Sequence, residues 1–342
     1  MATIKEVAAH AGVTPTTVTN VIRGRGRTTE VTRQRVLDAI ALLGYRPNLT
    51  ARALVERRAP TFALMLTCIT NPFYPEFMLH VDQAARRSGR YLIVCNTDYE
   101  DKETRFLDEV AGSLADGVIV ANNPAIDLEQ LKQVAARGTP VVVNLWEDPD
   151  SHPGLPCIAF DGRRAGRMAT EHLVGLGHGK IGGIIASPKN GIHHQRYLGF
   201  RDVLRAARLP CPAAAVRFCA DTFEGGKEAA LDLLSSVPDL TALFVSNDLA
   251  ALGVLEAAAS LGRAVPADLS VASITNIMMS NQSRPALTTV AIPTASMAAR
   301  GVELLIDRQK RMHDAPPMEC IDDLKLIVRE STALRPTPQQ TF

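Results

Sequence analysis

Between residues 14 and 27 the chain reads Thr-Pro-Thr-Thr-Val-Thr-Asn-Val-Ile-Arg-Gly-Arg-Gly-Arg. Short hydroxyl and amide side chains (Thr16, Thr17, Thr19, Asn20) are followed closely by Arg23, Arg25 and Arg27. Groups this short can reach base edges from a helix lying in a DNA major groove, while arginines hold the flanking phosphates. Asn20 can read adenine through two hydrogen bonds, whereas Pro15 offers only van der Waals contact. A second set of polar groups follows short apolar runs further on. These are Asn71-Pro72-Phe73-Tyr74, Asn144 and Trp146, Asp161, Asn247-Asp248 and Thr275-Asn276, with Arg196 opening a helical pattern. Aromatic faces with converging amide, carboxylate and guanidinium groups suit a small polar ligand such as a sugar, a sugar acid or a base.

The residue types that carry other chemistries are not arranged to do so. No Walker A run, His-Glu-x-x-His or Gly-x-Ser-x-Gly occurs. The histidines at 10, 80, 152, 172, 178, 193, 194 and 313 show no metal-ligand spacing with cysteine. Gly177-His-Gly179-Lys-Ile-Gly182 matches G-x-G-x-x-G, but it follows a helical pattern and leads into a strand. A dinucleotide site needs the opposite order, so this run is expected to be a helix end and a tight turn. Neither enzymatic activity nor a cofactor nor a metal is expected.

These groups need elements to position them. The chain has 342 residues, of which 46% are apolar and 21% charged, which suits two or three globular domains. No apolar run is long enough to span a membrane, and the N-terminus shows no secretory signal pattern. Six scattered cysteines without a Cys-x-x-Cys pair read as the reduced thiols of a cytoplasmic protein. The formal charge of +1 is uneven. Residues 1–58 hold ten basic and four acidic residues, a charge of +6, and the remainder holds 27 and 32, a charge of −5. A basic head on a mildly acidic body suggests that the head meets a polyanion.

In the head, Thr3-Ile4-Lys5-Glu6 is a capping box, and Ile4, Val7, Ala8 and Ala11 continue at helical spacing. Gly12 ends that helix, Thr14 caps the next, and Pro15 takes its first turn. The second helix is expected to reach about Arg23 with Val18, Val21 and Ile22 inward. A third begins near Thr28 or Thr29, buries Val36, Leu37, Ile40 and Leu43, and ends at Gly44. The first two make a helix-turn-helix.

Beyond residue 60, strand-like runs alternate with helical ones. The expected strands are Phe62–Leu66, Tyr91–Cys95, Gly117–Val120, Val141–Val143, Ile158–Phe160, Ile181–Ile185, Leu243–Val245 and Val271–Ile274. The expected helices are Phe77–Ser88, Glu103–Leu114, Leu128–Ala136, Ala165–Leu176, Arg196–Ala207, Gly226–Leu234, Leu249–Leu261 and Ser296–Asp307. This alternation predicts parallel sheets covered by helices, and the body is too long for one such sheet. The fold class is therefore a small all-α helix-turn-helix head on a two-lobed α/β body. The expected divisions are a head at 1–47, a hinge and linker at 48–59, a first lobe at 60–161, a second lobe at 162–291, and a tail at 292–342 that returns to both lobes.

The runs Ile4-Lys5-Glu6-Val7-Ala8, Ala11-Gly12-Val13-Thr14, Thr17-Val18-Thr19, Val21-Ile22 and Leu43-Gly44-Tyr45-Arg46-Pro47-Asn48 resemble the head of the LacI/GalR (lactose-repressor) family. The likeness continues through the body. It implies a body like that of a periplasmic sugar-binding protein. It also implies DNA contacts from Thr14, Pro15, Thr16, Thr17, Asn20, Arg25, Tyr45, Asn48, Ala51 and Leu54. Of these, Pro15, Thr16 and Asn20 take the variable base-reading positions. Residues 48–58 take the place of a hinge helix, with Leu54 matching a leucine that wedges into the minor groove. An isolated helix this short is marginal in water, so it is expected to fold only when two copies meet over DNA. The effector-lining positions would be Phe73, Tyr74, Trp146, Asp161, Arg196, Phe223, Asn247 and Thr275.

One departure stands out. The family usually carries Gly-Phe-Asp-Asp where this chain has Ser273-Ile274-Thr275-Asn276. Thr275 supplies no charge, which argues against a pyranose bound in the family's usual way and leaves two outcomes: a more anionic effector paired with an unneutralised Arg196, or loss of small-molecule control. His193 and His194 are expected to be surface loop residues, the alternative being that they add to such a site. The combined expectation is a homodimeric, effector-controlled repressor of a pseudo-palindromic operator, with inducer and corepressor action both open. The tail Arg335-Pro-Thr-Pro-Gln-Gln-Thr-Phe342 has no leucine heptads, so no coiled-coil tetramerisation is expected. The competing reading is a solute-binding protein with the same body and no DNA role.

Overall fold

The structure, a computed structural model, describes residues 2–24, 26, 28–45, 61–97, 107, 109–121, 127–310 and 316–335. The expected hinge helix with Asn48, Ala51 and Leu54 lies outside the described residues, as do Arg25 and Arg27. The chain divides into two compact units, Met1–Pro60 and Thr61–Phe342.

The first unit holds three helices, α1 (Ile4–Ala11), α2 (Pro15–Arg23) and α3 (Glu30–Leu42). The capping box forms: the Glu6 N–H donates to the Thr3 hydroxyl at 3.3 Å, and the Thr3 N–H donates to the Glu6 carboxylate at 2.7 Å. Gly12 closes α1 at φ +64°, a conformation that a Cβ would oppose. Val7, Ala8, Ala11, Val18, Val21, Val36 and Ala39 form the core. Ile22 and Leu37, expected inward, are 37% and 41% exposed. Each directly follows a fully committed core residue, and a one-residue step turns a helical side chain by about 100°, off a narrow apolar stripe.

The second unit is built from twelve strands, in two six-stranded sheets. The first sheet comprises β1 (Thr61–Leu66), β2 (Tyr91–Asn96), β3 (Val118–Ala121), β4 (Val141–Trp146), β5 (Cys157–Ala159) and β11 (Met318–Cys320), in the order β11-β5-β4-β3-β1-β2. The second comprises β6 (Ile181–Ile185), β7 (Val216–Phe218), β8 (Ala242–Val245), β9 (Ser270–Thr275), β10 (Thr288–Ala291) and β12 (Lys325–Ile327), in the order β12-β10-β9-β8-β6-β7. Both sheets are parallel apart from the antiparallel β10–β12 pair. Fully buried runs such as Phe62–Leu66 and Leu243–Val245 are what a parallel sheet covered on both faces requires.

The eight expected strands all form, with ends shifted by up to three residues. β7, β10, β11 and β12 were not anticipated. Three of them have three residues, are only partly buried and carry a charge (Arg217, Glu319, Lys325), so they lack an apolar run. β10 is short and starts on two threonines. The helix expected at Glu103–Leu114 falls largely outside the described residues, and its end, Val110–Leu114, is a π-helical turn.

Two helices in the second lobe approach until their backbones touch. A Cβ at Gly166 would lie 2.1 Å from the Arg196 carbonyl oxygen, and one at Gly199 would lie 2.0 Å from that of Arg163. Glycine therefore lets helix Gly162–Gly175 lie directly against helix His194–Ala206. That contact places the N-terminal turn of the second helix, with Arg196, at the carboxyl end of β6. In the tail, Asn144 on β4 donates to the Met297 carbonyl at 3.0 Å and anchors helix Thr294–Lys310 to the first sheet. Among the described residues no helix is long and apolar enough to cross a membrane.

Candidate functional site

Thr14 caps α2, accepting from the Thr17 N–H at 3.2 Å, and the two hydroxyls lie 3.0 Å apart. The Thr19 hydroxyl donates to the Pro15 carbonyl at 3.0 Å. Thr17 and Thr19 thus use hydrogen-bonding capacity locally, while Pro15 and Thr16 are exposed. Asn20 is half-buried, and its amide lies beside Gly26, where a Cβ would be 3.3 Å from Nδ2. The first turn of α2 holds no acidic residue to oppose a phosphate. Tyr45 is half-buried against the head core.

In the second unit a narrow cleft, partly open to solvent, lies between the carboxyl ends of the two sheets, where open α/β folds bind ligands. From the first lobe come Asn71, Phe73, Tyr74, Leu145, Glu147 and Phe160. From the second come Ile192, His193, Arg196, Asp221, Asn247, Leu249 and Thr275. Phe73, Tyr74, Arg196, Asn247 and Thr275 thus line the cleft as expected. Phe73 and Tyr74 stand edge to face, with centroids 5.5 Å apart.

Three expected residues lie elsewhere. Trp146 packs on the first-lobe core, and its indole N–H donates to the Ser151 carbonyl at 2.7 Å. Asp161 caps helix Gly162–Gly175, accepting from the Arg164 N–H at 2.7 Å. Phe223 is half-buried at the first turn of helix Phe223–Ser236, outside the cleft lining. Asp221, two residues earlier, takes the wall position.

The guanidinium of Arg196 is not free. Nε donates to Glu147 Oε2 at 2.9 Å, Nη2 to Glu147 Oε1 at 2.5 Å, and Nη1 to the Ser246 carbonyl at 2.7 Å. Both side chains are buried, at 3% and 6% exposure. The counter-charge missing at Thr275 is therefore supplied by Glu147, from the other lobe. This removes the unneutralised cation on which the expectation of an anionic effector rested. Burial pushes the Glu147 carboxyl above the usual carboxylate range, and Arg196 offsets part of that push.

Asp221 accepts from Asn71 Nδ2, 3.2 Å from both oxygens, and from Asn247 Nδ2. Asn247 can do this because its Oδ1 is committed to capping helix Asp248–Ser260, taking the Ala250 N–H at 2.9 Å. Burial also raises the Asp221 carboxyl above its ordinary range. It raises the Tyr74 phenol too, with help from the Asp221 charge. His193, expected on the surface, is buried in the cleft wall with Nδ1 3.0 Å from the Ser246 hydroxyl. Burial and the neighbouring Arg196 hold its proton affinity well below the usual histidine range.

Thr275 adopts φ +127° and Asn276 φ +57°, both unusual for side chains with a Cβ. Asp248 holds this turn from below. Its Oδ1 accepts from the Ser273 and Thr289 hydroxyls at 2.5 and 2.6 Å, and its Oδ2 from the Ser280 hydroxyl and the Ile277 N–H at 2.5 and 3.0 Å. Four donors on a fully buried carboxylate over-determine the strained turn. The lobes are joined further by Gln195 donating to Asp148 at 2.7 Å and the Met278 N–H donating to Glu76 at 2.8 Å.

Residues 3–48 match the family model described as "Bacterial regulatory proteins, lacI family". Residues 170–332 match a periplasmic binding protein-like domain. The chain is 32% identical over 335 residues to the HTH-type transcriptional regulator DegA of Bacillus subtilis, covering 97% of this chain and 98% of that one. It is 31% identical over 336 residues to the ribose operon repressor of Halalkalibacterium halodurans, covering 97% of each chain. Among solved structures, the transcriptional regulator CelR–cellobiose complex superposes with a TM-score of 0.72 at 29% identity, covering 97% of this chain and 100% of that one. A family head and a similarity to curated regulators that runs the length of the body exclude a solute-binding protein without a DNA-binding head. The chain belongs to the LacI family of DNA-binding transcriptional regulators.

Proposed function

We propose that this protein is a repressor that binds a pseudo-palindromic operator as a homodimer and is switched by a small polar effector held in the interlobe cleft. The observation that carries this reading is the presence in one chain of a helix-turn-helix head, open at Pro15 and Thr16, and a polar cleft walled by both lobes. Thr16 and Asn20 read base edges, Thr14 and Thr17 support the N-terminus of α2, and arginines including Arg25 hold phosphates. Tyr45, Asn48, Ala51 and Leu54 complete the DNA contact, with Leu54 wedging the minor groove at the operator centre. Exposed Leu79, Val94, Met278 and Met279 offer apolar surface to a second copy. The ribose operon repressor and the cellobiose complex among its relatives favour a polyhydroxylated effector. Effector binding biases lobe closure, and closure decides whether paired hinge segments can fold over DNA. The protein acts in the cytoplasm and catalyses no reaction.

The test is selection of binding sites from random duplex DNA by the purified full-length protein. Two half-sites related by a dyad, with centres about one helical turn apart, are expected. A single asymmetric half-site, or no enrichment, overturns the homodimeric reading.

A further inference from the structure

The charges in the cleft do not balance. Among the described residues its wall holds two carboxylates, Glu147 and Asp221, against one cation, Arg196, which leaves a formal charge of −1 when all three are ionised. His193 adds nothing, because burial and Arg196 keep it neutral. Arg196 is turned to Glu147 and to the Ser246 carbonyl. Asp221 is held only by the uncharged amides of Asn71 and Asn247, and among the described residues it forms no ion pair. A carboxylate partly withdrawn from water, near Arg196 but in contact with no cation, attracts a cation and repels an anion. The aromatic rings of Phe73 and Tyr74 line the same cavity, and their faces favour positive charge.

We propose that Asp221 sets the charge of the effector: the cleft selects a small polyhydroxylated molecule bearing a primary amine, and rejects acids and phosphates. This rests on the effector-cleft reading above. The ammonium donates to Asp221, and its charge replaces the missing counter-ion. Hydroxyls on the same skeleton use the remaining polar atoms of the cleft. A neutral analogue keeps the shape but loses the charge-assisted bond, a loss of about tenfold in affinity. An acid places its carboxylate against Asp221.

The experiment is calorimetric titration of the full-length protein at pH 7 with matched triples: glucose, glucosamine and glucuronate, then galactose, galactosamine and galacturonate. At least one amine should bind about tenfold tighter than its parent sugar, with no detectable binding of the acids. Asp221→Asn should bring amine and parent sugar to similar affinity, and its circular dichroism spectrum and cooperative urea unfolding report that it is folded. Should that variant not fold, Asp221→Ser gives the same readout. An acid or a parent sugar that binds tighter than its amine overturns the proposal and leaves the effector-cleft reading standing. An unchanged amine preference in the Asp221 variant also overturns it. If no member of the panel binds, the proposal falls. The effector-cleft reading then survives only if a small-molecule metabolite extract still shifts operator affinity.

Discussion

Replacing Glu147 by Gln keeps the size of the side chain and removes its charge. In the wild type, Arg196 Nε and Nη2 meet the two carboxylate oxygens at 2.9 and 2.5 Å, with both side chains under a tenth exposed. An amide offers one oxygen and one NH2, so one of the two guanidinium donors must face another donor. Removing one partner of a buried pair costs about 3–5 kcal/mol, because a buried charge is left uncompensated. This pair spans two lobes, which limits that cost. Arg196 can recover hydration if the cleft opens, so the loss cannot exceed the cost of opening. A destabilisation of about 2–3 kcal/mol with an opened cleft is expected. Urea unfolding reads the first and small-angle scattering the second, as a larger radius of gyration than the wild type. The double variant Glu147→Gln/Arg196→Met removes both charges and should recover most of the lost stability, since a buried pair is often replaceable by apolar groups. If Glu147→Gln changes stability by less than about 0.5 kcal/mol with unchanged scattering, the pair does not hold the lobes together.

Gly166→Ala would set a methyl 2.1 Å from the Arg196 carbonyl oxygen and push two helices apart; a loss of about 3 kcal/mol in urea unfolding is expected, and a change within error would show that the helices can separate freely. Asn20→Ala should relax preference at one base pair in each half-site by about 1–3 kcal/mol, read by repeating the binding-site selection; an unchanged motif removes Asn20 from the readers. His178 bonds the Thr241 hydroxyl at 3.0 Å and the Ala333 carbonyl at 3.1 Å, and burial lowers its pKa from 6.5. The unfolded chain therefore binds this proton more readily than the folded one. The stability it confers is complete above pH 6.5 and is lost as pH falls from there towards the lowered folded value. His178→Asn should flatten the fall in stability below pH 6.5 relative to wild type. Carboxylates with raised pKa run the opposite way, but they cancel in the difference; parallel curves would refute the assignment.

The head was legible because local chemistry decides it. Thr3 and Glu6, Gly12, and Thr14 with Pro15 are capping and turn signals that act within four residues, and each does in the structure what its type implies. The parallel strands were legible because complete burial on two faces demands continuous apolar runs. Part of the cleft was legible because polar residues come close after such runs, as Asn247 follows β8 by way of Ser246. Asp221 follows β7, a half-exposed three-residue strand without an apolar signature, so no run in the sequence marks it as a strand-end residue. Glu147 was missed because β4 runs three residues beyond Val143, which makes Trp146 the end of the strand and Glu147 the residue that turns into the cleft.

These two carboxylates explain why reasoning from Thr275 alone led the wrong way. Loss of an aspartate beside an arginine implies a free cation only if nothing else in the folded chain can reach it. Arg196 lies at the interface of two lobes that approach in space and are far apart in sequence, so the partner could come from either side. It comes from Glu147, and the consequence is mechanical as well as electrostatic. A carboxylate on the loop after β9 would pair with Arg196 within one lobe and leave closure to the ligand. A carboxylate on the loop after β4 makes the same ion pair a bond between lobes. The threonine at 275, held at φ +127° by the Asp248 cluster beneath it, keeps the shape of the turn without its charge. The Arg196–Glu147 pair therefore ties the two lobes together, and under the effector reading proposed above a ligand that draws on either residue competes with that tie.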